Sequence, residues 1–599
     1  MPRGEIRRSA LRGMLTAGGF TSSHDFSFGG RAVDYGWAPQ SLADYQDWYG
    51  GALEVATRLA LSDSPLRAPV RQALAENFRA LWCFGHVFDH LEAAVLAVGT
   101  QEHWPQGWLE VRETIGLDAE RMEAGLLVRL RELKERLAPV GLRERLRVYV
   151  LTPAYQIAQL GHWEAPEADD GYEQAEQAVI DEALRLGREV GQAPNLLDGI
   201  WPELFGRDAH QAFRFGEGLA ETVVNLPQTW RELLGHYGAT EDAHRNPSLL
   251  GGFVRAAASR DRPFIEGLLD GAVTDPLLAP VFPLLQAAVA VDEAGVRRLT
   301  ASIASCLAPA RAYCDLGLGP ATESIPPIDL ARNILGIAGL PDGYKIAVDI
   351  LVTHLGPRKA PPADWDPSLL DCGRELLRTY PADQINQSAG YVLAKIARVC
   401  LRGLGAAPDA GLVCRWIADA SSARPSFWSQ LKNLIETLLT LHPHVALDCW
   451  LGDAKSSSHA LMWRMIRNED RNPFGKVPTQ ILLEWAMRDP ATRLPRLADV
   501  IPVLDTKADP LAWSEAVQAL LSAASDRATL LKHLAGRLSP SGWVGSLADI
   551  LERRRPLLQQ FFGDQDPALR HAAREIDSQL QRDIAVEAAR EVTRDERFE

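Results

Sequence analysis

The sequence is poor in cysteine, with seven residues in 599 and no C-x-x-C pair. Zinc ribbons and disulfide frameworks both require closely spaced cysteines. The sequence therefore supports neither arrangement and gives no indication of a cofactor. The seven cysteines are Cys83, Cys306, Cys314, Cys372, Cys400, Cys414 and Cys449.

Long apolar runs are also missing. No uninterrupted stretch approaches the roughly 20 residues of a membrane-spanning helix. The N-terminal stretch MPRGEIRRSALRGMLTAGGF is basic but has no continuous apolar core of signal-peptide length. We therefore expect a cytoplasmic protein that does not contact membranes.

The common motifs of nucleotide binding and hydrolysis are absent. The sequence NPFGKVPT around Lys476 lacks both the first glycine of a P-loop and the hydroxyl that follows its lysine. The segment 403–411 has spaced glycines, but it follows a helical pattern and contains Pro408. It therefore does not fit a dinucleotide-binding turn. No G-x-S-x-G elbow occurs. The sequence thus predicts a non-enzymatic protein, and an active site assembled from distant residues is the alternative.

Positive charge is scarce relative to negative charge. The chain has 78 acidic and 63 basic residues, a net charge of −15, which opposes unspecific attraction to nucleic acid. A nucleic-acid partner would require a local basic patch, and solvated helix faces explain such patches equally well. We expect a protein partner. The basic candidates for an interaction site are Arg3, Arg7, Arg8 and Arg12 near the start and Arg553, Arg554 and Arg555 near the end.

Helical periodicity is what the sequence does contain, from about residue 40 onward. Segments such as RMEAGLLVRLRELKERLA and FWSQLKNLIETLLTL carry apolar residues three or four apart. The segment RLRVYVLT (145–152) is either a strand or a buried helix. Because 38 prolines and 47 glycines interrupt the pattern, the helices should be short and joined into hairpins. The predicted fold class is all-α.

Asp-Pro dipeptides recur ahead of apolar helical patterns. Asp can accept hydrogen bonds from free amides at a helix start, and Pro fits the first helical position. Their spacing is irregular, so we predict an irregular α-solenoid of helical hairpins rather than a fixed-period array. The five dipeptides are Asp275-Pro276, Asp366-Pro367, Asp489-Pro490, Asp509-Pro510 and Asp566-Pro567.

Two stretches indicate domain boundaries. GHWEAPEADDGYEQ (161–174) is acidic and poor in apolar residues, and LGPRKAPPADWDP (355–367) is rich in proline. They predict an N-terminal helical domain at 1–165, a central helical region at 166–360 and a C-terminal repeat region at 361–599. The first 40 residues, rich in Gly, Ser and aromatics, predict an irregular segment that either packs on the first domain or docks a partner.

One histidine pair is a candidate metal site. In FGHVFDHLEAAV, His86 and His90 stand four residues apart, a spacing at which two imidazoles on one helix face can share a metal ion. However, the apolar stripe of Phe84, Phe88, Leu91 and Val95 lies almost opposite both histidines. A solvent-exposed face is therefore the competing interpretation, and no third ligand is adjacent in sequence.

Sixteen tryptophans are present, eight of them between Trp365 and Trp543 and several inside amphipathic patterns. Buried indoles anchor pairs of helices, whereas exposed indoles anchor partners. Core packing is the expected role for most of them.

The C-terminal region resembles a known repeat class. In GDQDPALRHAAREID (563–577), Asp564 precedes a helix and Arg570 follows six residues later. This pattern resembles the second helix of HEAT-type repeats, in which such a pair forms a ladder between neighbouring repeats. Residues 425–599 resemble the HEAT-like C-terminal arms of bacterial STAND-type antiphage proteins, although this chain has no P-loop.

That resemblance implies a sensing or docking arm and supplies no site residues. Stacked repeats present a long surface for partners. We therefore predict a non-enzymatic scaffold that binds another protein as a subunit of a bacterial multi-protein system. The alternatives are a phage-sensing component of an antiviral system and a metal-dependent enzyme with its site near His86 and His90.

Overall fold

The fold is all-α, as the sequence predicts. The computed structural model describes residues 41–598 except 84–85, 165–170, 194–198, 319–321, 357–364, 387, 425, 453–471 and 541, together with most of their side chains. The predicted irregular segment at 1–40 lies outside the described residues. None of the described helices has both the length and the apolar character needed to cross a membrane.

The chain forms two compact units, residues 1–289 (unit 1) and 290–599 (unit 2). The divisions that the sequence predicts near 165 and 360 fall within 165–170 and 357–364, outside the described residues, and they stay predictions.

Unit 1 consists of helices joined by short turns. Neighbours in sequence pack as hairpins, and helices two apart also pack, as in α1 with α3, α2 with α4 and α3 with α5. The helices are α1 Leu42–Leu61, α2 Arg67–Cys83, α3 Phe88–Gln101, α4 Pro105–Asp118, α5 Ala124–Leu137, α6 Leu142–Tyr149, α7 Ala154–Glu164, α8 Gly171–Gln192, α9 Trp201–Leu204, α10 Ala212–Thr222, α11 Leu226–Ala239, α12 Ser248–Ala258, α13 Arg262–Ala272 and α14 Phe282–Ala287.

The segment 145–152, the one candidate strand in the sequence, belongs to α6 and the turn after it. Leu146 and Val148 are buried there. The buried-helix interpretation is therefore confirmed, and the strand alternative is wrong.

Helices α8, α10 and α12 approach one another at glycines. A β-carbon added to Gly187 would lie 2.1 Å from the carbonyl oxygen of Phe215, and one added to Gly252 would lie 1.8 Å from that of Phe213. Glycine costs about 1 kcal/mol relative to alanine inside a helix. Here that cost is offset because two helix backbones can touch directly, which closes the packing without a gap.

Unit 2 contains the remaining helices and a short two-stranded ribbon. In the ribbon, β1 (Leu504–Asp505) pairs antiparallel with β2 (Ala512–Trp513). The helices are α15 Glu293–Ser305, α16 Pro327–Ala338, α17 Gly343–His354, α18 Pro367–Arg378, α19 Ala389–Cys400, α20 Ala407–Ala423, α21 Phe427–Gln430, α22 Lys432–Leu441, α23 Pro443–Leu447, α24 Thr479–Ala486, α25 Pro490–Val500, α26 Glu515–Ala523, α27 Arg527–Ala535, α28 Leu547–Arg554, α29 Pro556–Gln559 and α30 Pro567–Phe598.

These helices stack as hairpins in series. Helices α16, α18, α20, α23, α24 and α26 pack one against the next in a first layer, and α17, α19 and α22 pack in the same way in a second layer. The first-layer helices begin at residues 327, 367, 407, 443, 479 and 515, at intervals of 40, 40, 36, 36 and 36 residues. Unit 2 is thus an α-solenoid whose period is more regular than the Asp-Pro spacing suggests.

A row of aromatic residues repeats with the hairpins. The aromatic ladder, as we name it, consists of Tyr344, Tyr380, Trp416, Trp450 and Trp485. The rings of Tyr344 and Tyr380 lie 5.4 Å apart, edge to face. The indole N–H groups of Trp416 and Trp450 donate to the carbonyls of Tyr380 (3.1 Å) and Cys414 (3.0 Å), which belong to the preceding hairpin. The expectation that tryptophan mainly packs the core holds for this ladder.

The Asp-Pro interpretation is right at three places and wrong at two. Helices α18, α25 and α30 begin at Asp366-Pro367, Asp489-Pro490 and Asp566-Pro567. Asp275 instead accepts from two amides in a turn that leads to the short 3-10 helix Ala279–Val281. Asp509-Pro510 lies in the connection between β1 and β2.

The HEAT-like pair is only partly placed as the resemblance implies. The carboxylate of Asp564 accepts two hydrogen bonds from Arg527 at the start of α27, at 2.9 and 3.0 Å, and so joins neighbouring hairpins. Arg570 donates to the carbonyls of Asp564 and Gln565 within its own hairpin. The contact between hairpins therefore runs through Arg527 rather than Arg570.

Candidate functional site

A cleft of about 1050 Å³ opens on unit 1. Its walls come from the start of α2, the connection from α3 to α4, the turn from α6 to α7, and residues 203–210. Ligand sites in proteins commonly measure 300–1,000 Å³, so the cleft has room for a sizeable ligand. We therefore take it as the candidate functional site.

Three guanidinium groups converge on one carboxylate in this cleft. Arg67 Nη2 and Arg71 Nη1 each lie 3.0 Å from Oε2 of Glu102, and Arg147 Nη1 lies 3.4 Å from its Oε1. Arg147 also donates to both carboxylate oxygens of Glu203, at 3.0 and 2.9 Å. The cleft thus contains an arginine cluster, Arg67, Arg71 and Arg147, arranged around Glu102.

The local fold explains this convergence. Arg67 and Arg71 stand one turn apart on α2 and project from the same face. Glu102 follows the last residue of α3 in extended backbone. Arg71 is fixed further by hydrogen bonds to the carbonyl of Ala60 and the side-chain oxygen of Gln101, both at 3.1 Å. Like charges at this spacing repel each other, and the shared carboxylate of Glu102 offsets this repulsion.

The charges in the cleft depend on one another. Burial alone would raise the pKa of Glu102, but the charge and hydrogen bond of Arg71, with the charges of Arg67 and Arg147, outweigh burial and lower that pKa. Burial and the charge of Arg67 lower the pKa of Arg71, and Glu102 only partly offsets them. Glu102 therefore stays ionised in the cleft, and its charge favours the charged form of Arg71.

The remaining walls combine apolar and neutral polar groups. Pro65, Leu109 and Leu151 supply apolar surface, while Gln106 and Gln156 supply amides. Burial lowers the pKa of His103 in the same wall, so this imidazole is neutral near pH 7. Charged groups that are tied into ion pairs are suited to recognising charge, whereas acid-base catalysis calls for a group whose pKa lies near the working pH.

The two histidines of the candidate metal site lie on different elements. His86 precedes α3, has a φ of 51°, and accepts through its carbonyl from Gln46. His90 lies on α3 beside Gly50 of α1. Both side chains are exposed. The expectation that they share one helix face is wrong, because the helix begins only at Phe88.

In the described part of the chain, no group of three or more His, Cys, Asp or Glu side chains is placed to hold a metal ion.

The C-terminal basic run is largely used inside unit 2. Arg555 makes a two-pronged contact with the buried carboxylate of Asp577, at 3.0 and 3.1 Å. Arg554 donates to the carbonyl of Leu538. Arg553 is exposed. Two of the three candidate interaction residues thus hold the hairpins together, which follows from their position at the end of α28.

Sequence reasoning missed the arginine cluster. Its signal is RAPVR (67–71), in which two arginines share a helix face with no acidic residue between them. The compensating Glu102 lies 31 residues beyond Arg71. The sequence alone does not bring these residues together.

Comparisons with known proteins add little. No protein-family model matches the chain, and no curated protein matches it. A solved structure described as a "Circular tandem repeat protein with novel repeat topology and enhanced subunit contact surfaces" is similar at 14% identity. The match covers 92% of this chain and 98% of that chain, with a TM-score of 0.18. That value is too low to support an argument about fold or function.

Proposed function

We propose that the protein is a non-enzymatic α-helical repeat protein that binds a partner protein through the cleft of unit 1. We further propose that it acts as a subunit of a bacterial multi-protein system, a role supported only by the C-terminal resemblance. The observation that carries the proposal is the open cleft with its arginine cluster.

The composition of the cleft favours a protein ligand. Arginine and aromatic residues are enriched in protein interfaces, and the cleft contains three arginines and Trp104. Small-molecule pockets are mostly apolar with few polar groups, whereas here charged and neutral polar side chains occupy several walls. An extended peptide segment carries both backbone hydrogen-bonding groups and side chains, and it matches such a lining.

Affinity purification of the tagged full chain from its native organism tests this proposal. A stoichiometric partner should be captured, identified, and then shown to bind again as a purified protein. The variant Gln156→Trp should abolish that binding, because Gln156 is exposed on α7 and lines the cleft, so a bulky indole would fill the space.

The matched control is Gln159→Trp, at an exposed position on the same helix that does not line the cleft. It should bind the partner as the unaltered protein does. Equal binding by both variants would assign the partner to another surface. The absence of any stoichiometric partner would contradict the proposed function itself.

A further inference from the structure

Glu102 occupies the arginine cluster without being locked into it. Its side chain is 44% exposed, and its backbone is extended and lies just beyond α3. Rotation about its side-chain bonds would carry the carboxylate into solvent without disturbing a helix. The guanidinium of Arg71 is held by two further oxygens, those of Ala60 and Gln101, and would stay in place.

The cluster without Glu102 would be an anion site. Arg147 keeps Glu203 as a partner, at 2.9 Å. Arg67 and Arg71 would keep only neutral oxygens: that of Gln101 at 3.4 Å for Arg67, and those of Gln101 and Ala60, both at 3.1 Å, for Arg71. Two fixed guanidinium groups with a common target form a strong site for a carboxylate or phosphate. An incoming anion would replace an existing ion pair, so most of the desolvation cost is already met.

We propose that the cleft binds an acidic peptide segment of a partner protein, and that an oxyanion of this segment takes the place of the Glu102 carboxylate between Arg67 and Arg71. The inference rests on the proposed function and names the chemistry of the partner. Charge complementarity supports it, because an oxyanion is what these two side chains already select within the chain. The oxyanion is a carboxylate of Asp or Glu, or a phosphate on the same kind of segment.

The rest of the cleft suits the remainder of such a segment. The amides of Gln106 and Gln156 can pair with an extended backbone, and Leu109 and Leu151 offer apolar surface for a flanking side chain. The segment should therefore combine acidic and apolar residues.

Fluorescence anisotropy with the full chain tests the inference. The probes are a labelled peptide of alternating Glu and Leu, the same peptide with Gln in place of Glu, and a third with phosphoserine in place of one Glu. We expect the Glu peptide to bind and the Gln peptide to bind at least about tenfold more weakly. Tighter binding of the phosphoserine peptide would identify phosphate as the preferred oxyanion, and weaker binding would identify carboxylate.

Variants show whether peptide affinity depends on the arginine cluster or on the net charge of the protein. Glu102→Gln removes the internal competitor and should tighten binding of the Glu peptide about tenfold. Arg67→Gln and Arg71→Gln should each weaken it by a similar factor. Glu293→Gln is the matched control, because it makes the same change in net charge at an exposed, ion-paired glutamate of unit 2, and it should leave the affinity unchanged. Arg67, the more exposed arginine, keeps the test valid if the Arg71 variant does not fold.

Two results would overturn the inference: equal binding of the Glu and Gln peptides, or no tightening by Glu102→Gln in a folded protein. Neither result touches the proposed function, which is judged by the captured partner and by Gln156→Trp. If the partner binds but its affinity is the same in unaltered protein and in Glu102→Gln, the protein-binding proposal stands and the acidic-segment inference fails.

Discussion

Two contrasting contacts join successive helices, one exemplified in unit 1 and the other in unit 2. In unit 1, α8, α10 and α12 meet at glycines, and backbone touches backbone. In unit 2, the aromatic ladder and several arginines reach across to carbonyl groups of the preceding or following hairpin. The first means depends on the absence of a side chain. The second depends on a long side chain that carries its own hydrogen-bond donor.

This contrast shows how each unit satisfies its buried polar groups. The last carbonyls of a helix have no partner within that helix. In unit 2, Trp416 and Arg537 donate to carbonyls at or just beyond the ends of α18 and α25. In unit 1, Arg260 donates in the same way to the carbonyl of Val223, just beyond the end of α10, so the close glycine contacts act beside such donors. We therefore expect substitutions to have different consequences in the two units.

The largest expected effect is at a glycine contact of unit 1. Gly252→Ala places a β-carbon 1.8 Å from the carbonyl oxygen of Phe213, so α10 and α12 must separate. Overpacking against a backbone should lower the free energy of unfolding by about 3 kcal/mol or more. Urea unfolding of the full chain, with hydrogen exchange of α10 and α12 amides, measures this loss.

The control for that change is Gly267→Ala on α13. Nothing lies within 4 Å of the β-carbon there, and the residue is exposed. It should stabilise unit 1 by roughly 0.5–1 kcal/mol because alanine is the better helix former. Equal destabilisation by both alanines would contradict the role of close glycine contacts.

The next effect is in the aromatic ladder of unit 2. Trp450→Phe removes the donor to the Cys414 carbonyl and leaves that buried oxygen without its indole partner. Trp428→Phe is the control: this indole is also buried and contacts Trp450 edge to face, but its N–H has no partner among the described residues. Both variants lose the same ring volume.

Trp450→Phe should therefore be the more destabilising of the two by about 1–3 kcal/mol. Unfolding by urea, followed by circular dichroism, gives both values. If the two variants prove equally stable, the ladder contributes packing alone.

A smaller effect is the pH dependence of stability, which also differs between the two units. Burial, followed by the charges of Glu113 and Glu76, raises the pKa of Glu110 on α4 to about 7. The folded state thus binds the proton more tightly than the unfolded chain, whose glutamates titrate near 4.3. The contribution of protonated Glu110 to stability is complete below about pH 4 and is lost as pH rises through about 7. In unit 2, burial raises the pKa of Cys372 to about 12, outside this window.

Amide exchange in α4 should therefore be slower, relative to the intrinsic rate, at pH 5 than at pH 8. Glu110→Gln should remove most of this difference, whereas Glu120→Gln, at an exposed carboxylate of unit 1, should preserve it. If the protection of the α4 amides in the unaltered protein is the same at pH 5 and pH 8, the raised pKa of Glu110 is contradicted.

The smallest expected effect is at the ion pair between hairpins in unit 2. Arg527 and the backbone N–H of Asp566 lower the pKa of Asp564, so this group stabilises the fold above about pH 4 and loses that effect as pH falls. Asp564→Asn should lower the thermal midpoint slightly at pH 7 and less at pH 3. Glu575→Gln, which breaks a single exposed contact with Lys532, should change it less. A larger change at pH 3 than at pH 7 would contradict the ion pair.

The sequence predicts the fold class well because helical periodicity needs only local information. It hides the period of unit 2, because the first-layer helices begin with different residues. Pro327, Pro367 and Pro443 open three of them, whereas Ser514 caps α26 through its hydroxyl. These solutions satisfy the same free amides, so a search for one dipeptide misses the repeat. The aromatic ladder, which recurs every 34 to 36 residues, carries the period instead.

The candidate site is less accessible from sequence. The pair Arg67 and Arg71 is visible as unbalanced charge on one helix face, but Glu102 and Arg147 come from other elements. Only the packing of α2, α3 and α6 brings these groups together. His86 and His90 illustrate the reverse error, because adjacency in sequence suggested a shared helix face that the start of α3 does not provide.

The steady interval between hairpins in unit 2 has an evolutionary consequence. Copying or deleting one stretch of 36 residues returns every later hairpin to an equivalent neighbour, because each contact reaches only one hairpin away. The three glycine-matched helices of unit 1 have no such freedom, since an inserted helix would need glycines on both of its faces. Gene duplication can therefore lengthen unit 2 in whole hairpins. In unit 1, the contacts among α8, α10 and α12 leave no place for an added helix.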